Sequence, residues 1–220
     1  MMKVKRILVI ALTMSVVLLS SCEKFPLQKS RKYETSFFQN NTNKTVLEFI
    51  ESRPDLFSGL IDAIAYLDAD PAYADIKQMF QSQNNTFLLL HNDALITVPS
   101  TTSYWGRTSN RVTDTDPTSP TFGLLVAGSS WAQYPKEDIA RLLRRHVIKG
   151  KADFANLSST PKFFETYDAN FRMRIVMTNN RDGNIQLGDG PTFITPRTPN
   201  LFANGGNVIH VLNAYIVPAP

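Results

Sequence analysis

Residues 204–218 read Asn-Gly-Gly-Asn-Val-Ile-His-Val-Leu-Asn-Ala-Tyr-Ile-Val-Pro, a turn signal followed by the most apolar run beyond the N-terminal segment. Two alternating sets run from Val208 to Val217. Val208, His210, Leu212, Ala214 and Ile216 make one; Ile209, Val211, Asn213, Tyr215 and Val217 make the other. A half-exposed strand would alternate apolar with polar, so this run predicts a central strand covered on both faces. Asn204 and Gly205 supply the turn that leads in, and Pro218 ends the run. Because the strand lies at the far end of the sequence, the sheet is completed only when the last residues arrive.

The other end carries a different signal. Lys3, Lys5 and Arg6 precede an apolar run over residues 7–19, short of the roughly 20 residues a spanning helix needs. Leu19-Ser-Ser-Cys22 follows, small residues ending in the only cysteine of the sequence. This resembles a bacterial lipoprotein signal. The resemblance implies that residues 1–22 are a signal peptide, that Cys22 is acylated, and that the protein sits at the cell envelope, at the outer membrane, on its periplasmic or surface side. An ordinary secretory signal with an incidental cysteine and an uncleaved anchor are the alternatives. Two or more acyl chains, at roughly 0.8 kcal/mol per buried methylene, anchor stably where one does not. A single cysteine leaves no internal disulfide. Residues 23–44 are polar and aperiodic and read as a flexible tether. Taking the three cations before Cys22 from the 23 Lys and Arg leaves 20 against 19 Asp and Glu, a net charge of +1. Nothing in that balance favours nucleic acid as a partner.

Between the ends, Thr45-Val-Leu-Glu48 has the spacing of a capping box and opens a helix that Pro54 stops. Pro54 then starts a second helix with Leu56, Phe57, Leu60, Ile61, Ile64 and Leu67 on one stripe. Asp70-Pro71 restarts a third, carrying Tyr73, Ile76, Met79 and Phe80, and together they form an N-terminal helical cap. Residues 86–90 are a buried strand. Residues 97–135 break the rhythm, rich in Thr, Ser, Pro, Gly and Asp, with one short strand expected within 122–127; a segment this long and aperiodic is functional or mobile. Pro135 opens a helix with Ile139, Leu142, Leu143 and His146 on its buried side, and 149–151 is its exit. Phe171, Met173, Ile175 and Met177 alternate with polar residues as a one-sided strand, Asp182-Gly183 marks a hairpin turn, and 192–195 is a further short strand.

The order of these motifs resembles a fasciclin domain, of the kind found in bacterial, Bacteroidetes-like lipoproteins. That family has a helical start, a Thr-Val-Phe-Ala-Pro-Thr strand ending in Asp/Glu-Ala-Phe, a helix ending in Tyr-His-Val-Val-x-Gly, and a final Asn-Gly-x-Ile-His-Val-Ile-Asp-x-Val-Leu-x-Pro strand. Residues 86–95, 142–150 and 204–218 are the counterparts here. The resemblance implies a single α+β, β-rich domain over 45–218: a compact β-sandwich or wedge with flanking helices. It implies no enzyme active site, no cofactor, and a role in adhesion or protein–protein interaction. Lipoproteins of this kind often accompany polysaccharide-uptake systems, which implies a glycan-binding accessory role as the alternative. The departures matter. Leu90-His91 replaces the family's Pro-Thr, and Arg145 replaces the tyrosine of its Tyr-His pair, so the integrin adhesion attributed to that pair in some animal members is not carried over.

Three histidines, His91, His146 and His210, are more than 50 residues apart and lack metal-ligand spacing, so no metal site is expected. His146 and His210 fall on apolar faces and read as core hydrogen-bonders. Gly128-Ser-Ser130 is not a nucleophile elbow, and the Gly pairs near 188 and 205 lack phosphate-loop spacing. Both tryptophans lie in the 97–135 segment. Tyr104, Trp105, Trp131 and Tyr134 are therefore the candidate contacts for an envelope protein or an extracellular glycan, or else the pins that hold a long loop to the domain.

Overall fold

The computed structural model of this chain describes residues 40–179, 184–188 and 193–217, all within one compact unit spanning 39–220. Helix α1 (Val46–Glu51) is capped as its spacing predicts: the Thr45 amide donates to Glu48 Oε2 at 2.8 Å and the Glu48 amide to Thr45 Oγ1 at 3.3 Å. Helix α2 (Pro54–Asp68) begins on its proline and buries Phe57, Leu60, Ala63, Ile64 and Leu67. A 3-10 turn capped by Asp70 leads into α3 (Ala74–Phe80). Strand β1 (Thr86–Leu90) follows with all five residues buried, then a single helical turn, α4 (Asn92–Leu95), with His91 as its N-cap. The long segment contributes only two two-residue strands, β2 (Val112–Thr113) and β3 (Leu125–Val126). Helix α5 (Lys136–Arg145) carries Glu137 and Asp138 in its first turn and Arg144 and Arg145 in its last, the arrangement the helix dipole favours.

After α5 the chain turns into strand β4 (Val147–Ile148), not simply a helix exit. Strands β5 (Lys162–Glu165), β6 (Arg172–Asn179) and β7 (Asn184–Leu187) form an antiparallel sheet in that order. Strands β8 (Thr198–Ala203) and β9 (Asn207–Leu212) complete a four-stranded sheet ordered β4-β1-β9-β8. There β1 runs parallel to β9, with Thr86 opposite Val208 and Leu90 opposite Leu212. The last long strand thus lies beside the first, central, with all six residues buried. It ends earlier than alternation implies. The chain leaves the sheet after Leu212, Asn213 is exposed, and Tyr215 turns into an aromatic cluster. The isolated Ile148–Thr166 bridge links the two sheets.

Two further expectations shift. The last residues read as tether belong to the fold: Asn41 bridges Phe202, the Thr42 amide donates to Phe202 O at 2.8 Å, and the Asn204 amide to Lys44 O at 2.8 Å. The strand expected at 192–195 reduces, among the described residues, to Ile194 bridging Leu187. The turn expected at Asp182-Gly183, Cys22 and Pro218 lie outside the described residues; Asn179 of β6 pairs with Asn184 of β7. The chain is an α+β protein whose core runs continuously from Val46 to Ile216.

Candidate functional site

The aromatic residues of the 97–135 segment converge on Tyr104. Its ring centroid lies 5.2 Å from that of Tyr134, 5.4 Å from Tyr215 and 5.7 Å from Trp131, and Trp105 lies 5.4 Å from Trp131. Tilted and edge-on aromatic pairs at these separations add attraction to the area they bury. The Trp131 indole N–H donates to Gly59 O at 2.9 Å, tying the far end of the segment to α2. The near end is fixed by the Tyr104 and Trp105 amides, which donate to Ala94 O and Leu95 O, both at 2.9 Å. Burial pushes the Tyr104 phenol up and raises Tyr134 to about 12, so both stay neutral.

Tyr104, Trp131 and Tyr134 are buried, at 9%, 4% and 7% exposure, and Trp105 is partly buried. Trp105 keeps part of its surface exposed, while the three buried rings act as pins for the loop, one of the two roles open to these residues. Gly128 shows how tightly, since a Cβ there would lie 2.1 Å from the Tyr134 hydroxyl.

Pinned at both ends, the segment projects the β2–β3 hairpin. Val112 pairs with Val126 and Thr113 with Leu125. Beyond them the tip satisfies itself. The Thr121 hydroxyl donates to Asp114 Oδ2 at 2.6 Å, the Thr118 amide to Asp116 Oδ1 at 2.8 Å, and the Gly123 amide to Asp114 O at 2.8 Å. Side-chain hydrogen bonds from Ser119 and Thr121 hold the Asp114 carboxyl below the usual carboxylate range, and those from Thr118 do the same for Asp116. Gly123 takes a left-handed φ of 79° with open space around it. On this frame Phe122, Leu124 and Leu125 are 58%, 59% and 62% exposed. Beside the hairpin lies a cavity of about 520 Å³ lined by Asn110, Arg111, Val112, Gln133, Pro135 and Asp138 among others. Three large apolar side chains on a braced tip next to a polar cavity form a surface suited to another macromolecule.

In sequence 122–127 reads as a short strand, and nothing local marks these three residues as exposed. The signal was there, in apolar Phe122-Gly-Leu-Leu set among Thr, Ser, Asp and Pro, but exposure depends on where the hairpin leaves the body.

The signature histidines are structural. His146 Nδ1 donates to Leu142 O at 2.8 Å and its Nε2 accepts from the Ile216 amide at 3.0 Å. His210 Nδ1 accepts from the Asn200 amide at 3.1 Å and its Nε2 donates to Ala152 O at 2.9 Å. Burial lowers both to about 4, and a second proton would in addition aim a new N–H at a backbone N–H. Asn204 and Gly205 form the 3-10 turn into β9, with Gly205 at φ 78°. Arg145 is occupied by Asp168 at 3.2 Å and lies over the Phe171 ring. Among the described residues, no three His, Cys, Asp or Glu side chains gather as metal ligands, and no helix is long and apolar enough to cross a membrane.

No family model matches the chain, and no curated protein matches it. Among solved structures it is similar to a FAS1 domain pair from the insect cell adhesion molecule fasciclin I, at 13% identity and a TM-score of 0.45. That similarity covers 72% of this chain and spans about 45% of the length of the other.

Proposed function

We propose that this protein is a non-enzymatic, lipid-anchored component of a bacterial cell envelope that acts in adhesion or protein–protein interaction through a fasciclin-like domain. The observation that carries the reading is the braced hairpin tip, with Phe122, Leu124 and Leu125 exposed beside a cavity. Contiguous apolar side chains on a preorganised frame are what protein contacts are built on, because little ordering entropy is lost on binding. Supporting it are the motif order resembling fasciclin domains and the N-terminal signal ending in Cys22. The glycan-binding alternative is less favoured, since of its four candidate contacts Tyr104, Trp131 and Tyr134 are buried and Trp105 is partly buried.

The test compares cells carrying the native protein with cells carrying F122S/L124S/L125S in surface-attachment and cell-aggregation assays. The triple variant lowers attachment or aggregation at unchanged protein level; equal behaviour of the two strains rejects the proposal.

A further inference from the structure

The charges of the 97–135 segment are sorted along it. Arg107 and Arg111 come first with no acid among them, and Asp114 and Asp116 follow with no base. Arg111 directly precedes β2, and Arg107 stands one 3-10 turn earlier, over the Tyr215 ring at 5.8 Å. The arginines thus mark the root of the β2–β3 hairpin and the carboxylates its tip. Among the described residues none of these four side chains is in an ion pair, whereas Arg53, Arg141, Arg144, Arg145, Arg172 and Arg197 all are. Asp114 and Asp116 accept only from hydroxyls and backbone amides, which brace the tip and keep both carboxyls ionised without offsetting their charge.

Apolar surface and open space are sorted the same way. Phe122, Leu124 and Leu125 stand exposed at the tip and just below it. The cavity of about 520 Å³ opens at the root, lined by Asn110, Arg111 and Val112 among others. Asp138 shares that lining but lies 3.8 Å from Arg141, which offsets its charge. A hairpin with a cationic, hollow root and an anionic, apolar tip is complementary to a reversed copy of itself. A half-turn about an axis across the middle of the hairpin sets tip against root at both ends, the reciprocal contact of a two-fold dimer.

We propose that the partner engaged by this hairpin is a second copy of this chain, the tip of each copy lying over the root of the other, with Asp116 facing Arg111 and the side chains of Phe122 and Leu124 entering the cavity. The proposal rests on the reading of the hairpin as an interaction surface and names its partner. Exposed ion pairs add little by themselves. The apolar side chains of two tips leaving water together supply the attraction, and the charges fix the reversed orientation, because hairpins laid in the same direction would set like charges side by side.

The experiment co-expresses two differently tagged full-length copies, solubilises the membranes in a nonionic detergent, and measures how much of one copy is recovered with the other. Native copies are recovered together. Arg111→Glu in both copies gives two anionic ends, Asp116→Arg in both gives two cationic ends, and each lowers recovery roughly tenfold. One copy carrying Arg111→Glu and the other Asp116→Arg restores opposite charges at both contacts, and recovery returns to near the native level, an outcome that misfolding of either variant would not produce. No joint recovery of native copies, matched variants that associate as well as native ones, or a mixed pair no better than the matched pairs would each overturn the proposal. A crosslink from Leu124 to a different protein, with no joint recovery of native copies, overturns this proposal alone and leaves the interaction reading standing.

Discussion

Lowering the pH from 8 to 5 should destabilise this fold through His146 and His210, and the size of the effect follows from their geometry. Each ring nitrogen that accepts a backbone N–H is the one a second proton would occupy. Protonation therefore breaks a hydrogen bond and buries a charge, and burial is the largest cause of both values falling to about 4. The unfolded chain titrates near 6.5, so between the two values the unfolded state binds more protons. The stability these groups contribute is complete above about pH 6.5 and falls as pH drops toward 4. At pH 5 the proton difference is nearly one per histidine, which costs about 2 kcal/mol each relative to pH 8, or about 4 kcal/mol together. That is a large part of the roughly 5–15 kcal/mol holding a typical domain together. Glu48, Asp55, Asp70, Asp114 and Asp116 are all held below their ordinary values by hydrogen bonds, so they add to acid loss only at lower pH. His91, lowered by burial, acts in the same direction as the other two. Urea unfolding at pH 8, 6 and 5 measures the slope. Stability at pH 5 within about 1 kcal/mol of that at pH 8, or imidazolium signals from either ring in the folded protein at pH 5, refutes the reasoning.

Three other outcomes follow from particular contacts. Trp131→Ala removes a buried indole and its bond to Gly59, so it should cost about 3–5 kcal/mol and open the 97–135 segment to limited proteolysis. Arg145→Ala strands Asp168, which is 7% exposed, and should destabilise by about 3–5 kcal/mol, whereas Arg145→Met with Asp168→Asn recovers much of that loss in denaturant midpoint. Cys22→Ser should leave the precursor unprocessed and shift it out of detergent-phase fractions; unchanged partitioning rejects the lipid anchor.

Much of this architecture could be read from the residues. The Thr45–Glu48 box, Pro54 and the stripe through Leu60, Ile64 and Leu67 encode α1 and α2 locally, and the structure has them there. The two-sided apolar run gives the centrality of β9, because only a strand between neighbours and beneath cover hides both faces. What stayed hidden depends on tertiary context. Strand β4 is two residues long, too short to alternate. Strand β8 contains Pro199 and a left-handed Asn200 at φ 59°, features that argue against a strand in sequence and suit a bulged edge in the sheet. Alternation through Tyr215 continues past the end of β9 because Tyr215 and Ile216 are buried again after the chain bends away at 213–214, and burial alone leaves the same apolar pattern.

The candidate site was legible in location but not in identity. Composition picked out 97–135 as unusual, and the tryptophans drew attention because such side chains often make contacts. In the fold they are drawn inward onto Tyr104, and the exposed side chains are Phe122, Leu124 and Leu125. Which apolar residues face solvent is decided by the hairpin register and by where Trp131 anchors on Gly59. Neither has a local signature.

The most direct test of the proposed function places a photo-crosslinking side chain at Leu124 in cells, with Asp62 on the exposed side of α2 as the control position. The account predicts a discrete adduct with one envelope or surface protein from Leu124, none from Asp62, and loss of the adduct when Phe122 and Leu125 are changed to Ser. Adducts of equal yield at both positions, or none at Leu124, contradict it.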